Sequence, residues 1–537
     1  MTSRKSYIRL CSLLSSIMFI AGCSQPTTEV PVEPVLKKNE VQNVVEGDGE
    51  IEVKQQPVAE AVAEIEAEVE ANPAALVPTG DISTLEGKDL YMIICAACHG
   101  QQLQGGVAQS LVDGVWQFGA SKSAMKKNIK HGITHLGMPT FENMLTDKQI
   151  NSVIKFIQET GEQEGAVRPP APKTLQTLEY EIEVDVFVEG VEIPWSIDFL
   201  DARTALITER PGRLRMVTNG VLAAEPVANI PTVHASGQGG LLDVAVDPNY
   251  AKNGWVYLSY SHALEVAEGE SVPAMTRIAR GKIVDNAWTS EEVLFTAKEE
   301  HYKTKGVHYG SRIVFDKAGF LYFSVGDRGD QDNAQDLSLP NGKIHRIHLD
   351  GSIPTDNPFV NTENAYPSIY SYGHRNPQGL AIHPGTDLPW ETEHGPMGGD
   401  EINRPKKGLN YGWPVVTYGR NYNGTIVSEH EHAEGYEEPV LFWRPSLATC
   451  GLDFYEGEAF GRWNNHLLSG SLRYEELRLL TVTDERVIHS EVILKGAGRV
   501  RDVTVGPEGF IYVALNTPDQ ILRLRPTQER TWTTKSE

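Results

Sequence analysis

From about Leu178 onward one short phrase recurs, a turn followed by a run dense in aromatic and β-branched residues. It reads Val246-Asp247-Pro248 leading to Gly254-Trp255-Val256-Tyr257-Leu258-Ser259-Tyr260. It returns as Phe315-Asp316 leading through Gly319 to Phe320-Leu321-Tyr322-Phe323-Ser324-Val325, and again as Val505-Gly506-Pro507 leading through Gly509 to Phe510-Ile511-Tyr512-Val513-Ala514-Leu515. A degenerate fourth copy joins Phe199-Leu200-Asp201 to Ile207-Thr208-Glu209. Runs of this composition between turns are strands. No amphipathic helical pattern of comparable strength interrupts them. A repeated strand–turn–strand unit protects its sheet edges by radial repetition, so an all-β propeller is predicted. At about 45–50 residues or somewhat more per blade, residues 178–527 allow six or seven blades. A sandwich or β-helix does not expect units this long.

A different texture precedes the repeats. Cys95-Ala96-Ala97-Cys98-His99 has the Cys-x-x-Cys-His spacing of covalent haem c attachment. The two thiols add to the haem vinyl groups, and the helical turn they share places His99 beneath the iron. A thioredoxin-like pair would need no following histidine and would sit in a βαβ pattern, which is absent here. Glu86 to Cys98 carries Leu90, Ile93, Ile94 and Ala97 at amphipathic helical spacing. Thr146 to Thr160 carries Ile150, Val153, Ile154 and Ile157 on one face, with Thr146 as N-cap and Gln149 at the third position. Between them lies Gly137-Met138-Pro139, and a thioether ligand suits electron transfer. Met92, Met144, His131 and His135 are the other candidates for the iron. Arrangement and length resemble a class I cytochrome c, a small all-α domain, over residues 81–166. The resemblance implies Met138 as the sixth ligand.

Residues 1–23 have a basic start (Arg4, Lys5, Arg9) and an apolar run too short to span a bilayer, which reads as a secretory signal. Its end, Ile20-Ala21-Gly22-Cys23, resembles a bacterial lipobox, which implies acylation of Cys23. The expected location is therefore the cell envelope, periplasmic side, lipid-anchored, with Ser24 leaning towards the outer membrane. Residues 24–80 contain one aspartate, three lysines and no aromatic residue among many Glu, Val, Ala and Pro. Such a segment cannot offset its ordering entropy, and as a flexible coil it spans on the order of 40 Å. A Pro-rich join, 167–180, separates the haem domain from a propeller domain at 181–527, and 528–537 is a tail. The net charge of −24 argues against a nucleic-acid partner. With Cys11, Cys23, Cys95 and Cys98 so assigned, Cys450 stands alone as a small buried hydrophobe.

Several propeller loops are too polar and Gly-rich to be packing. They centre on Gln238, His308, Asp327 and Asp330, Arg375-Asn376-Pro377-Gln378, Gly395-Pro396, Asp400 and Arg499/Arg501. Arginines in that company suit a planar polyanionic redox cofactor, and backbone carbonyls suit a hard cation. These segments, in this order, resemble the soluble aldose sugar dehydrogenases that use pyrroloquinoline quinone (PQQ), a six-bladed propeller family. The resemblance covers essentially all of 185–527. It implies His308 as general base, Arg375 at the quinone carbonyls, and Asn376 and Gln378 as neighbouring cofactor contacts. It likewise implies Gln238 beside the substrate, Gly395 and Pro396 carbonyls on Ca2+ with Asp400 nearby, Arg499 and Arg501 on the cofactor carboxylates, and Arg473 as a further cofactor contact. His394, and Arg444-Pro445-Ser446 after Trp443, depart from some members. His301 and His374 read as structural, and Asp327 and Asp330 as turn chemistry or a second Ca2+ site.

The implied activity is oxidation of an aldose at C1 to the lactone. Electrons would pass to the haem c and on to an external acceptor, a cytochrome or terminal oxidase chain. A quinoprotein alcohol dehydrogenase would call for a vicinal cysteine pair, which the propeller lacks. The remaining alternative is an envelope electron carrier with a non-catalytic propeller.

Overall fold

A computed structural model describes residues 82 and 84–530, apart from 102, 104–107, 109, 113–115, 117, 119–120, 134–137, 165–169 and 422–424. The leader with Cys23, the 24–80 linker, His135, the first residues of the Pro-rich join (167–169) and the end of the tail lie outside the described residues. Among the described residues no helix is long and apolar enough to cross a membrane.

The first domain is helical. Helices α1 (Gly87–Ile94), α2 (Ala96–His99), α3 (Lys122–His131) and α4 (Asp147–Glu164) surround one apolar cluster. Leu90 and Tyr91 of α1 meet Ile150, Val153, Ile154 and Ile157 of α4, so the two sequence periodicities are two faces of one core. The expected capping box is formed. Thr146 N donates to Gln149 Oε1 at 3.1 Å, and Gln149 N donates to Thr146 Oγ1 at 3.3 Å. Gln149 Nε2 reaches on to the Ile82 carbonyl at 2.8 Å, tying the domain's first residues to α4.

The second domain is a six-bladed propeller, one sheet per blade. The innermost strands of blades 1 to 6 are Pro194–Asp201, Leu241–Val246, Ile313–Phe315, Pro377–Ile382, Thr449–Phe454 and Arg499–Val505. Each recurring phrase is the passage from an innermost strand to the second strand of its blade, in blades 1, 2, 3 and 6. Blades 4 and 5 lack the aromatic run, and so escaped the repeat. Closure joins the two ends of the domain. Tyr180–Val188 pairs with Gln520–Glu529, and Thr174–Gln176 adds an outer strand from within the stretch read as linker.

Side chains of the inner strands fasten each blade to the next. Asp198 Oδ2 accepts from Val246 N at 2.7 Å, Asp243 Oδ2 from Ile313 N at 2.7 Å, Asp453 Oδ2 from Val505 N at 3.0 Å, and Asp502 Oδ2 from Ile197 N at 3.2 Å. In blades 3 and 4, hydroxyls of the second strands take over: Ser324 Oγ to the Pro377 carbonyl at 3.3 Å, Thr392 Oγ1 to the Cys450 carbonyl at 2.7 Å. Burial pushes Asp198 and Asp453 up to about 7 and Asp502 up to about 6. Arg312 is the buried cation among them. Its Nη1 lies 3.0 Å from Asp243 and 2.9 Å from Asp502, Nε donates to the Gln378 carbonyl, Nη2 to the Arg501 carbonyl, and its guanidinium carbon stands 4.2 Å from the Trp195 ring.

Removing Arg312 would strand two buried carboxylates, so Arg312→Met is expected to lose about 3–5 kcal/mol of stability. A urea midpoint that does not fall would refute this. Neutralising Asp243 and Asp502 as Asn in the same variant should recover part of the loss.

Candidate active site

Each blade is entered along its innermost strand, so residues just before or at the six strand starts gather at one end of the channel. His308 precedes blade 3, Gln238 blade 2 and Arg375-Asn376 blade 4, while Arg499 and Arg501 open blade 6. Residues far apart in sequence thereby meet.

His308 is a largely buried imidazole held in the left-handed region at φ 53°. Non-glycine residues adopt such backbone at a cost and only where the surroundings fix it. Its backbone N donates to Gln238 Oε1 at 2.7 Å. A Cβ on Gly326 would sit 2.4 Å from the His308 carbonyl oxygen, so only glycine permits the approach of the strand that delivers Asp327. Asp327 Oδ1 lies 2.6 Å from His308 Nδ1, and its Oδ2 accepts from Trp413 Nε1 at 2.9 Å. A carboxylate on Nδ1 fixes that nitrogen as the protonated one and leaves Nε2 as the basic site. Burial lowers the His308 pKa against the pull of Asp327, and Arg375 lowers it further, so the ring is neutral at working pH. Burial alone would raise the Asp327 carboxyl, but the His308 hydrogen bond and charge bring it below its ordinary value.

Arg375 lies across from this pair. Its Nη1 donates to the His394 carbonyl at 2.9 Å, its N to Glu393 Oε2 at 2.9 Å, and its guanidinium carbon is 5.3 Å from the Trp413 ring. Its Nε is buried without a partner. Asn376 Oδ1 accepts from Gly310 N at 3.2 Å, and Gln378 Nε2 donates to the Gly310 carbonyl at 3.3 Å. Both side chains thus brace the turn that follows His308. Asp400 braces another loop: Oδ1 accepts from Gly395 N at 3.0 Å and Oδ2 from Thr449 N at 3.1 Å. A Cβ on Gly395 would strike the Gly399 carbonyl oxygen at 2.2 Å, and the Pro396 carbonyl accepts from Ser446 Oγ at 3.3 Å. Arg501 donates to Asn516 Oδ1 at 3.2 Å and meets Cys450 Sγ at 3.5 Å. The Arg499 pKa is lowered by burial and then by Arg501. Asp243 and Asp502 pair with Arg312; among the described residues Arg375, Arg499 and Arg501 form no ion pair. Arginines at the strand starts that form no ion pair among the described residues fit an anionic ligand.

Residues 191–523 match the family model described as Glucose / Sorbosone dehydrogenase. The chain belongs to this dehydrogenase family. It is 37% identical over 350 residues to aldose sugar dehydrogenase YliI of Escherichia coli, covering 64% of this chain and 93% of that protein. It is 33% identical over 251 residues to quinoprotein glucose dehydrogenase B of Acinetobacter calcoaceticus, covering 42% and 51%. The fold is that of the soluble aldose sugar dehydrogenase of E. coli in its apo-form, with a TM-score of 0.60 at 36% identity over 64% of this chain and 99% of that one. The PQQ-bound aldose sugar dehydrogenase of Streptomyces coelicolor follows at 0.51 and 26%, over 66% and 99%. Residues 83–157 match the model described as Cytochrome C oxidase, cbb3-type, subunit III, and the first domain is a cytochrome c domain.

In this dehydrogenase the Cys95–His99 segment is a single helical turn, with His99 N donating to the Cys95 carbonyl at 3.0 Å. Burial, then Cys98, pushes the Cys95 thiol up to about 12. Met138 pairs through its backbone with Ile133 and packs in the same apolar cluster as Cys95, Met92 and Met144. Of the competing ligands, His131 is exposed and faces Glu142 at 3.5 Å. Arg473 sets its guanidinium over Phe118 and Tyr474. His301 bonds Tyr366 Oη at 2.6 Å, and Asp330 pairs with Lys305 at 3.0 Å. His374 is buried against Glu391 and Glu393, at 3.5 and 3.6 Å, and their charges push it up to about 9 against the effect of burial. Asp327 does cap its own turn, accepting from Gly329 N at 2.7 Å, as turn chemistry requires. Sequence reasoning missed its second task, orienting His308, and missed Trp413 altogether. No local spacing signals a bond between residues 86 apart.

Asp327→Asn is expected to cut kcat by about 10²–10⁴-fold, the usual weight of general-base assistance, with little change in cofactor affinity. Since His308 must be neutral and its pKa is depressed, kcat/KM should hold as pH falls to the ordinary histidine value of 6.5 and decline only below it. A wild-type acid limb at or above that value would contradict the assignment.

Proposed function

We propose that this dehydrogenase oxidises an aldose at C1 to the lactone, with PQQ and Ca2+ in the propeller and haem c as its electron outlet. The observation that carries the reading is the His308–Asp327 pair set beside Arg375, which forms no ion pair among the described residues. His308 Nε2 takes the proton of the anomeric hydroxyl, and Asp327 steadies the resulting imidazolium. Bound PQQ supplies the two-electron acceptor for the hydride that leaves C1. Arg375 is fixed from behind by Glu393 and the His394 carbonyl, so it is preorganised to meet negative charge without reorganising. Arg499 and Arg501 would bind carboxylates, and the Gly395 and Pro396 carbonyls would hold Ca2+ in a loop that Asp400 keeps in shape. Cys95, Cys98, His99 and Met138 would hold the haem, and acylated Cys23 would keep the enzyme at the periplasmic side of an envelope membrane.

Purified protein supplied with PQQ and Ca2+ should reduce its own haem on addition of an aldose, with no dye present. His308→Ala should abolish that response by orders of magnitude while still binding PQQ. If no aldose reduces the haem, the chain is an electron carrier with a non-catalytic propeller. Chelation of Ca2+ should remove the activity and its return restore it; activity indifferent to chelators would remove Ca2+ from the scheme.

Met138→Ala should lose the methionine–iron charge-transfer band of the oxidised protein. A band that survives would assign the sixth position to another residue.

A further inference from the structure

The segment between α2 and α3 carries two described aromatic residues in different surroundings. Trp116 packs into the cluster that holds Cys95 and Met138. Phe118 lies outside that cluster. Its carbonyl accepts from Asn128 Nδ2 of α3 at 3.2 Å, and its ring lies 4.5 Å from the guanidinium carbon of Arg473 in the propeller. Arg473 is itself anchored near the active site. Its N donates to the Leu447 carbonyl at 3.0 Å, and two residues on, Thr449 N is bonded to Asp400. Cys450, next in sequence, touches Arg501.

We propose that Phe118 seated on Arg473 is the docking contact through which electrons leave the propeller for the haem, with Trp116 forming the haem side of the passage. This rests on the function proposed above. A chain tether raises the encounter frequency of two domains but does not orient them. A guanidinium over an aromatic face does, because the attraction requires the cation to stand above the ring. Each sugar oxidised yields two electrons and two protons. Ferric iron takes the electrons one at a time and becomes ferrous, an external one-electron acceptor reoxidises it between transfers, and the protons pass to water.

The test uses the full chain with haem, PQQ and Ca2+, an aldose, and the variants Phe118→Ala, Phe118→Leu and Phe118→Tyr. Three quantities are measured: the haem spectrum, aldose oxidation with an artificial dye, and the rate of haem reduction without dye. The Ala and Leu variants should keep the spectrum and the dye-coupled rate while haem reduction slows about tenfold, the loss in docked population that one cation–π contact of ordinary strength sets. Tyr should restore the rate. Wild-type haem reduction in Phe118→Leu, with its spectrum intact, would overturn the contact and leave the sugar chemistry standing. Absence of dye-coupled oxidation in the wild-type protein would overturn the sugar reading, and this contact with it.

Discussion

Arg312 is a buried cation that joins the inner strands of the propeller, and the geometry of the candidate site depends on it. It meets Asp243 of blade 2, Asp502 and the Arg501 carbonyl of blade 6, the Gln378 carbonyl of blade 4 and the Trp195 ring of blade 1. Burial works against its charge, but Asp502 and Asp243 raise its pKa, so it stays protonated. Those same carboxylates accept main-chain N–H groups of the neighbouring blades, so one charge network fixes the angular spacing of the ring. A buried network of this kind contributes specificity of arrangement more than net stability, because desolvation consumes most of the Coulombic gain.

Catalytic geometry is inherited from that ring. His308 stands four residues before Arg312, and Arg501 passes its carbonyl to Arg312 while its guanidinium faces Cys450. Whatever locates Arg312 therefore locates His308 and Arg501 as well. The strain at His308, with φ of 53°, is sustained by Gln238, Asp327 and the Asn376–Gly310 bond, each from a different stretch of chain. Asp243 and Asp502 are paired with Arg312, while among the described residues Arg375, Arg499 and Arg501 form no ion pair, which is the electrostatic condition a polyanionic cofactor needs.

Much of this was legible beforehand where the signal is local. The capping box at Thr146 and Gln149, the apolar faces of α1 and α4, and the strand phrases of blades 1, 2, 3 and 6 each depend on neighbours within a few residues, and each is found. Blades 4 and 5 were not legible as repeats because their second strands, Pro389–Glu393 and Leu467–Ser471, lack the aromatic run. The outer strand Thr174–Gln176 was taken for linker because its pairing partner, Tyr180–Val188, is itself recruited by the far end of the domain. Closure of a ring is a non-local event that no window of sequence records.

The sequence by itself carried a Cys-x-x-Cys-His turn and polar, glycine-rich loops bearing His308, Gln238 and the arginines, and the family resemblance implied a role for each. The tertiary structure decided what each does. It put Asp327 and Trp413, 86 residues apart, on one hydrogen bond, and so converted a turn aspartate into the partner of His308. It turned Asn376 and Gln378 towards the Gly310 backbone, and set Arg473 beneath an aromatic ring of the haem domain. The physical reason is the same in each case: a side chain's partner is chosen by which strand starts share the channel, and that is fixed only when the sixth blade closes.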